Sequence, residues 1–185
     1  MKSIKNLGTY PTSLPLLADD ILEFHAARLL LLFKICGESG QLRGLTKMAK
    51  LDFFIRYPQF FQTVAKILGK DVTFYREELA VESKMVRYHY GPWDQRYYHV
   101  LAYLEAKRLI SVKKDGTAII LGLTPLGDEV AAKFEQDNSF AQLVEQIYRV
   151  NDVMGHKKGN ELKSLIYQVF DQEIAKLTMG EEILQ

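Results

Sequence analysis

Apolar residues recur along most of the chain at the spacing of α-helices. The first predicted helix spans 19–36, begins at a cap formed by Asp19 and Asp20, and is apolar on nearly every face. A helix of this kind lies at the centre of a domain or is shared with a partner. We therefore expect part of its surface, including Leu30 and Leu31, to form a partner interface.

Start and stop signals delimit six further helices. Pro58 ends the second helix, Thr124 and Pro125 begin the fifth, and Ser139 with Gln142 forms a capping box for the sixth. With these limits, the predicted helices are 45–57, 60–68, 94–107, 125–136, 140–150 and a last one that is capped by Asn160.

A β-hairpin is predicted between the fourth and fifth helices. Two short apolar segments, 110–112 and 118–123, flank a Lys-Lys-Asp-Gly turn, and Asp-Gly is a strong hairpin signal. Gly91-Pro92 is expected to act as a stiff hinge before the helix 94–107. Helices followed by a two-stranded hairpin form a winged helix-turn-helix, so the expected fold class is mainly α (α+β), with the turn as the tip of the wing.

The same pattern suggests how the chain is organised. Residues 1–18 contain glycine and prolines and predict an extended N-terminal arm. The winged-helix domain is expected over 19–137, and 138–185 is expected to form a C-terminal helical extension packed on it.

Composition restricts the classes of function. The 185 residues include 24 Lys and Arg against 23 Asp and Glu, so no overall basic charge indicates nucleic acid binding. The single cysteine, Cys36, excludes a disulfide framework. The first residues lack the apolar core of a signal peptide, and the longest apolar run is too short for a membrane span, so we expect a cytoplasmic protein without membrane contact.

Motifs for catalysis are missing from the sequence. There is no phosphate-binding loop, no zinc-protease helix motif and no nucleophile elbow, and the four histidines lack metal-ligand spacing. Asp152, Glu161 and Lys163 follow the order found in restriction-type nucleases, but Glu161 and Lys163 fall at a predicted helix start rather than on adjoining strands. We expect neither an enzyme nor a bound metal or cofactor.

Local basic clusters are the candidates for contact with DNA phosphates. They lie at the predicted wing tip, around the second helix and at the start of the fourth helix, and they comprise Lys113, Lys114, Arg43, Lys47, Lys50 and Arg96. Lys157 and Lys158 form a second, weaker candidate. Ordinary solvated charges are an equally good interpretation of these residues. Base-specific recognition is disfavoured, because the outward positions of the fourth helix include Ala102 and Ala106 instead of further Arg, Asn or Gln.

Aromatic residues in and before the fourth helix divide into two groups. Trp93 and Tyr97 follow the apolar stripe and are expected to pack in the core. Tyr98 and Tyr103 lie off that stripe, and with His99 they are candidates for contact with a partner.

One charge pair is predicted within the second helix. Asp52 and Arg56 are four residues apart, which predicts a local ion pair next to the Tyr57-Pro58 corner.

A resemblance to a known family is carried by two stretches, FHAARLLLLFKICGESGQLRGLTKMAKLDFFIRYPQFF (24–61) and MVRYHYGPWDQRYYHVLAYLEAKRLI (85–110). They resemble the middle-component proteins of bacterial ABC three-component systems, and most of all the small accessory subunit of Lamassu-type defence complexes. The likeness extends over about 20–180, with LTKMAKLDFFIRYP and RYHYGPWDQRYY as its most distinctive parts. It implies a non-catalytic adaptor between an SMC/Rad50-like ATPase and an effector nuclease in anti-phage or anti-plasmid defence, with possible non-specific contact to double-stranded DNA.

A stand-alone winged-helix transcriptional regulator is the alternative. Such a regulator usually dimerises and carries a basic recognition helix. The weakly basic fourth helix and the surplus of apolar faces on the first helix favour the adaptor.

Overall fold

The computed structural model describes residues 21–72, 85–88 and 91–170. The chain is mainly α-helical with a small three-stranded antiparallel sheet. In chain order, the elements are α1 (Leu22–Cys36), β1 (Gln41–Arg43), α2 (Leu45–Arg56), α3 (Pro58–Ile67), β2 (Val86–Tyr88), β3 (Gly91–Trp93), α4 (Tyr97–Ala106), β4 (Ile110–Asp115), β5 (Ala118–Leu123), α5 (Pro125–Gln136), α6 (Ala141–Met154) and α7 (Gly159–Val169). None of these helices is long and apolar enough to cross a membrane.

The three-stranded sheet has the order β1-β5-β4. Leu42 is paired with Leu121, and both side chains are buried on the face that packs against the helices. The adjacent row of paired residues across the sheet consists of Arg43, Ile120 and Lys113. Since neighbouring side chains in a strand point to opposite faces, this row lies on the outward face of the sheet.

The first helix is enclosed by the chain itself. α1 packs against α5 and α6, and also against α4, α2 and β5. Leu30 is 1% exposed and Leu31 is 0% exposed, so the prediction that they contribute to a partner interface is wrong. The sequence pattern indicated a helix that is apolar on nearly every face. It could not show that α5 and α6 of the same chain bury those faces. Asp19, Asp20 and the arm 1–18 lie outside the described residues.

The second helix is equally central. All nine residues from Met48 to Arg56 are buried, and α2 packs against α3, α6, α7 and β3. Ile147 and Val150 on α6 and Leu162 on α7 are fully buried in the same core. Residues 138–170 therefore complete the core rather than cover it from outside.

Two predicted helix ends are confirmed and two predicted caps are wrong. Helix α2 ends before Pro58, as predicted. Thr124 caps α5, because its Oγ1 accepts a hydrogen bond from the Gly127 amide at 3.0 Å, as predicted. The Ser139 capping box is wrong, because Ser139 lies in a short 3-10 turn whose cap is the Asp137 carboxylate. The Asn160 cap is also wrong, since α7 begins two residues earlier than that cap implies, at Gly159, and the Glu161 carboxylate accepts from the Lys158 amide at 2.6 Å.

Two turns also differ from the prediction. Asp115 pairs with Ala118, so β4 extends through both lysines of the expected turn, and the loop consists of Gly116 and Thr117 alone. Gly116 has φ 59°, which suits a two-residue hairpin with glycine first. Gly91-Pro92 lies within strand β3, which is paired with β2, instead of forming a hinge.

Candidate functional site

A cluster of charged side chains is buried between α1, α2 and the start of α4. Its centre is Asp52 on α2, which is 0% exposed. One Asp52 carboxylate oxygen accepts from Arg28 Nε at 2.8 Å, and the other accepts from the Tyr97 hydroxyl at 2.6 Å. Asp52 therefore joins three helices through one carboxylate.

Arg56 extends this buried cluster towards the segment before α4. The predicted pair of Asp52 and Arg56 is present, with Arg56 Nη1 3.5 Å from Asp52 Oδ2. The same Arg56 nitrogen is nearer to Asp94, at 2.8 Å from its Oδ2. Asp94 also accepts from the Arg96 amide at 2.9 Å and from the Arg96 guanidinium. The pair is thus one part of a network that fixes both the β3 end and the α4 start.

The electrostatics of the cluster keep both carboxylates charged. Burial by itself raises the pKa of Asp52, but the charges of Arg28 and Arg56 and the hydrogen bond from Tyr97 outweigh it and hold that pKa below its ordinary value. The pKa of Asp94 is lowered in the same way, with burial opposed by the hydrogen bonds of Arg96 and the charge of Arg56. Burial and the Asp52 charge raise the pKa of Tyr97, which stays protonated. The side chains of these groups bond to one another, so the arrangement suits holding α1, α2 and α4 in fixed relative positions.

Lys50 is also buried, and the prediction that it contacts DNA is wrong. It is 1% exposed, and its ammonium donates to the Pro92 carbonyl at 2.8 Å. Burial, together with the charge of Lys163, lowers the pKa of Lys50 to about 7. Lys50 therefore attaches strand β3 to α2 from inside the molecule.

Sequence reasoning missed most of the buried cluster. It found the Asp52–Arg56 pair but not His25, Arg28 or Asp94, although Arg28 Nη2 donates to His25 Nδ1 at 2.9 Å. The available signal was Arg28 itself, a charged residue within an apolar helix, which has to find a partner when it is buried.

The outer face of α4 is the surface that the buried cluster positions. Tyr97 points inward and is buried, as predicted, and Trp93 is half-buried with its ring 5.1 Å from that of Tyr97. Tyr98 is 61% exposed, and its ring lies 5.8 Å from that of Trp93. We define the outer face of α4 by the exposed residues Tyr98, His99, Ala102, Glu105 and Ala106.

Tyr103 and Arg96 are less available than Tyr98. Tyr103 is half-buried against the core, and the ammonium of Lys107 lies 5.6 Å from its ring centre. Arg96 is partly exposed, but its guanidinium is paired with Asp94 at 2.8 Å. A DNA contact by Arg96 would compete with that pair.

A groove of about 800 Å³ brings together several of the other basic candidates. We call it the cationic groove and define it by its basic lining residues, Arg43, Lys47, His156 and Lys158. Lys113 lies on the same outward sheet face, in the row with Arg43 and Ile120. Lys114 is exposed but belongs to the opposite face of the strand. The groove thus joins Arg43 and Lys47 to the loop that follows α6, which the sequence treated as separate.

The nuclease-like residues are not brought together. Asp152 on α6 lines a surface pocket with Asp71 and Tyr148, whereas Glu161 caps the start of α7. Within the described residues, no three His, Cys, Asp or Glu side chains are placed to hold a metal ion. Burial raises the pKa of the Cys36 thiol to about 12, which keeps it in its unreactive protonated form.

Comparisons with known proteins returned no relative. No protein family matches the chain, and no curated protein and no solved structure matches it significantly.

Proposed function

We propose that the chain is a non-catalytic adaptor subunit that docks onto an SMC-like ATPase through the outer face of α4. The family proposal rests on the resemblance of LTKMAKLDFFIRYP and RYHYGPWDQRYY to middle components of ABC three-component systems. In such a complex the chain would link the ATPase to an effector nuclease during anti-phage or anti-plasmid defence. The resemblance is the only source for the effector and for the defence role.

We further propose that α1 to β5 form a winged helix. Two features support this assignment. The sheet order β1-β5-β4 places the first short strand against the second strand of the hairpin, and α4 leads directly into that hairpin. In this interpretation α4 occupies the position of a recognition helix and β4–β5 is the wing. The extra helix α3 and the hairpin β2–β3 separate α2 from α4.

The observation that carries the docking proposal is the composition of the outer face of α4. An exposed tyrosine lies beside the small residues Ala102 and Ala106, and Arg96 is already paired with Asp94. Tyrosine with small neighbours suits a protein interface, since the ring offers a large contact area and the alanines allow close approach. The surplus of apolar faces on α1 no longer supports the adaptor, because the chain buries that helix itself.

A winged-helix transcriptional regulator is the second candidate. It is favoured by the strand order and by the position of α4 before the hairpin. It is disfavoured by the outer face of α4, where the base-reading pattern of Arg, Asn and Gln is replaced by Ala102, Glu105 and Ala106. A single strongly preferred duplex sequence in a gel-shift series would favour the regulator.

The experiment is affinity purification of the tagged full chain from its own host, with identification of the bound proteins by mass spectrometry. The wild type and Tyr148→Ala, which alters an exposed tyrosine on α6, should both retain an SMC-like ATPase. Tyr98→Ala should lose it. Retention of a preferred promoter fragment instead of an ATPase, or equal retention by both tyrosine variants, would overturn the docking proposal.

A further inference from the structure

The cationic groove lies between two parts of the chain that are far apart in sequence. One wall is the outward sheet face with Arg43 and Ile120, and the other is the loop after α6 with His156 and Lys158. The start of α2 with Lys47 forms the floor between them. None of the described residues that line the groove belongs to α4, so this surface is distinct from the proposed docking face.

Among the described residues that line the groove, three side chains are cationic and one, that of Glu38, is anionic. The cationic residues are Arg43, Lys47 and Lys158, and Lys113 lies beside them on the same sheet face. Lys47 is held in place because its ammonium donates to the Gly155 carbonyl at 2.7 Å, and the loop carbonyl leaves its charge unneutralised. The opposing carboxylates are Glu38 in the lining, Glu161 at the start of α7, and Asp115, which pairs with Arg43 on the surface.

Two helix N-termini meet in the same groove. A Cβ placed on Gly159, the first residue of α7, would lie 2.9 Å from the main-chain nitrogen of Lys47 in the first turn of α2. Gly44, which precedes α2, has φ 97° and has no atom within 4 Å of where its Cβ would be. A ligand can therefore approach the main chain at the start of α2. There, the positive end of the helix dipole adds to the positive charge of the basic side chains. The helix ends add to the basic side chains, which are the primary observation.

The lining indicates which phosphate-bearing ligand fits. Residues from both walls line the groove, and among the described lining residues the imidazole of His156 is the sole ring. Proteins that bind single-stranded nucleic acid without sequence preference use aromatic side chains on which the bases stack. A duplex presents its phosphates outward and keeps its bases stacked on one another. A protein can therefore bind it through cationic side chains and needs no aromatic side chains for stacking.

We propose that the cationic groove binds the phosphate backbone of double-stranded DNA, without reading its sequence. Arg43, Lys113 and Lys158 contact phosphates from the two walls, while Lys47 and the start of α2 provide a positive floor. Lys50 takes no part because it is buried, and Arg96 takes no part because it is paired with the buried Asp94. The partner of Arg43, Asp115, is itself exposed, so that pair is screened by water and can exchange for a phosphate. This inference specifies the DNA contact of the proposed adaptor, but its chemistry does not depend on the ATPase.

The test uses a fluorescein-labelled 24-base-pair duplex and measures its anisotropy with the full-length chain between 50 and 200 mM salt. The groove variant is Arg43→Gln/Lys113→Gln/Lys158→Gln. The control variant, Lys66→Gln/Lys70→Gln/Lys133→Gln, removes three exposed lysines elsewhere on the molecule and so makes the same change in net charge. Circular dichroism checks that each variant is folded. If the triple groove variant is unfolded, Lys158→Gln alone is measured in its place.

The groove variant should bind the duplex at least tenfold more weakly at 100 mM salt, and the control should stay within about twofold. The slope of log affinity against log salt should fall by roughly 0.9 for each phosphate contact that is lost. Three outcomes would overturn the proposal: no duplex binding by the wild type, equal losses in both variants, or tighter binding of a single strand of the same length. The groove variant is also tested for retention of the ATPase in the affinity purification. If it retains the ATPase, loss of the DNA proposal leaves the docking proposal intact.

Discussion

Two charged regions of this protein contain similar residues and differ in their surroundings. The buried cluster around Asp52 places two arginines and two aspartates out of reach of water, and their side chains bond to one another. The cationic groove leaves Arg43 and Lys158 exposed, with only a surface partner for Arg43. Removing one partner of a buried ion pair strongly lowers the free energy of unfolding. Exposed charges are screened by solvent and salt, contribute little to that free energy, and are accessible to a ligand. The difference predicts separate consequences for substitutions in the two regions.

Removing the central carboxylate of the buried cluster should have the largest effect on stability. Asp52→Ala leaves Arg28 and Arg56 without their shared partner inside the protein. We expect the free energy of unfolding to fall by about 3–5 kcal/mol, as when one member of a buried ion pair is removed. Urea unfolding measures it, and Asp115→Ala, which breaks the exposed pair with Arg43, is the matched control with an expected change below about 1 kcal/mol. Similar losses in both variants would contradict the distinction.

The Tyr97 hydroxyl should contribute less than the carboxylate. Tyr97→Phe keeps the ring in the core and removes only the 2.6 Å hydrogen bond to Asp52. A hydrogen bond to a charged group is worth about 1.5–3 kcal/mol, and this is the expected decrease in the free energy of unfolding. Tyr148→Phe removes an exposed bond to Glu135 and should cause little change. An unchanged stability in Tyr97→Phe would show that the hydroxyl is replaced by other donors.

Buried Lys50 should make stability depend on pH. Its pKa of about 7 in the folded chain lies below the ordinary 10.5, so above pH 7 the unfolded chain binds a proton that the folded chain does not. Stability should therefore rise from pH 7 to 8.5, by at most about 1.4 kcal/mol per pH unit. Lys50→Met should flatten this rise, and Lys66→Met should not. The range ends below pH 9, because the raised pKa of Cys36 acts in the opposite direction above it.

Much of the fold followed from the sequence, because its helices and its hairpin are defined by local signals. Thr124, Pro125 and Pro58 fixed helix ends through backbone chemistry that acts within a few residues. Near Ser139, the Asp137 carboxylate caps a 3-10 turn that precedes α6, and near Asn160, the Glu161 carboxylate bonds back to the Lys158 amide. Local sequence does not decide between such neighbours.

The candidate surfaces were less predictable, because they depend on which distant segments meet. Leu30, Leu31 and Lys50 were assigned to outer surfaces, but α5 and α6 cover α1, and α6 and α7 cover α2. The sequence identified Lys47 and Lys158 as parts of separate basic clusters, but it could not show that Gly159 brings the starts of α2 and α7 into contact. The helical period predicted exposure for both Tyr98 and Tyr103; it is confirmed for Tyr98, but Tyr103 is half-buried against the core.

The most direct test of the adaptor account is the affinity of the purified chain for the purified SMC-like ATPase, measured by calorimetry for the wild type and Ala102→Arg. Ala102 is exposed at the centre of the outer face of α4, so a long charged side chain there should leave the thermal unfolding midpoint within about 2 °C. The account predicts that Ala102→Arg weakens binding at least tenfold, while Tyr148→Ala binds like the wild type. Equal affinities for wild type and folded Ala102→Arg would contradict docking through α4.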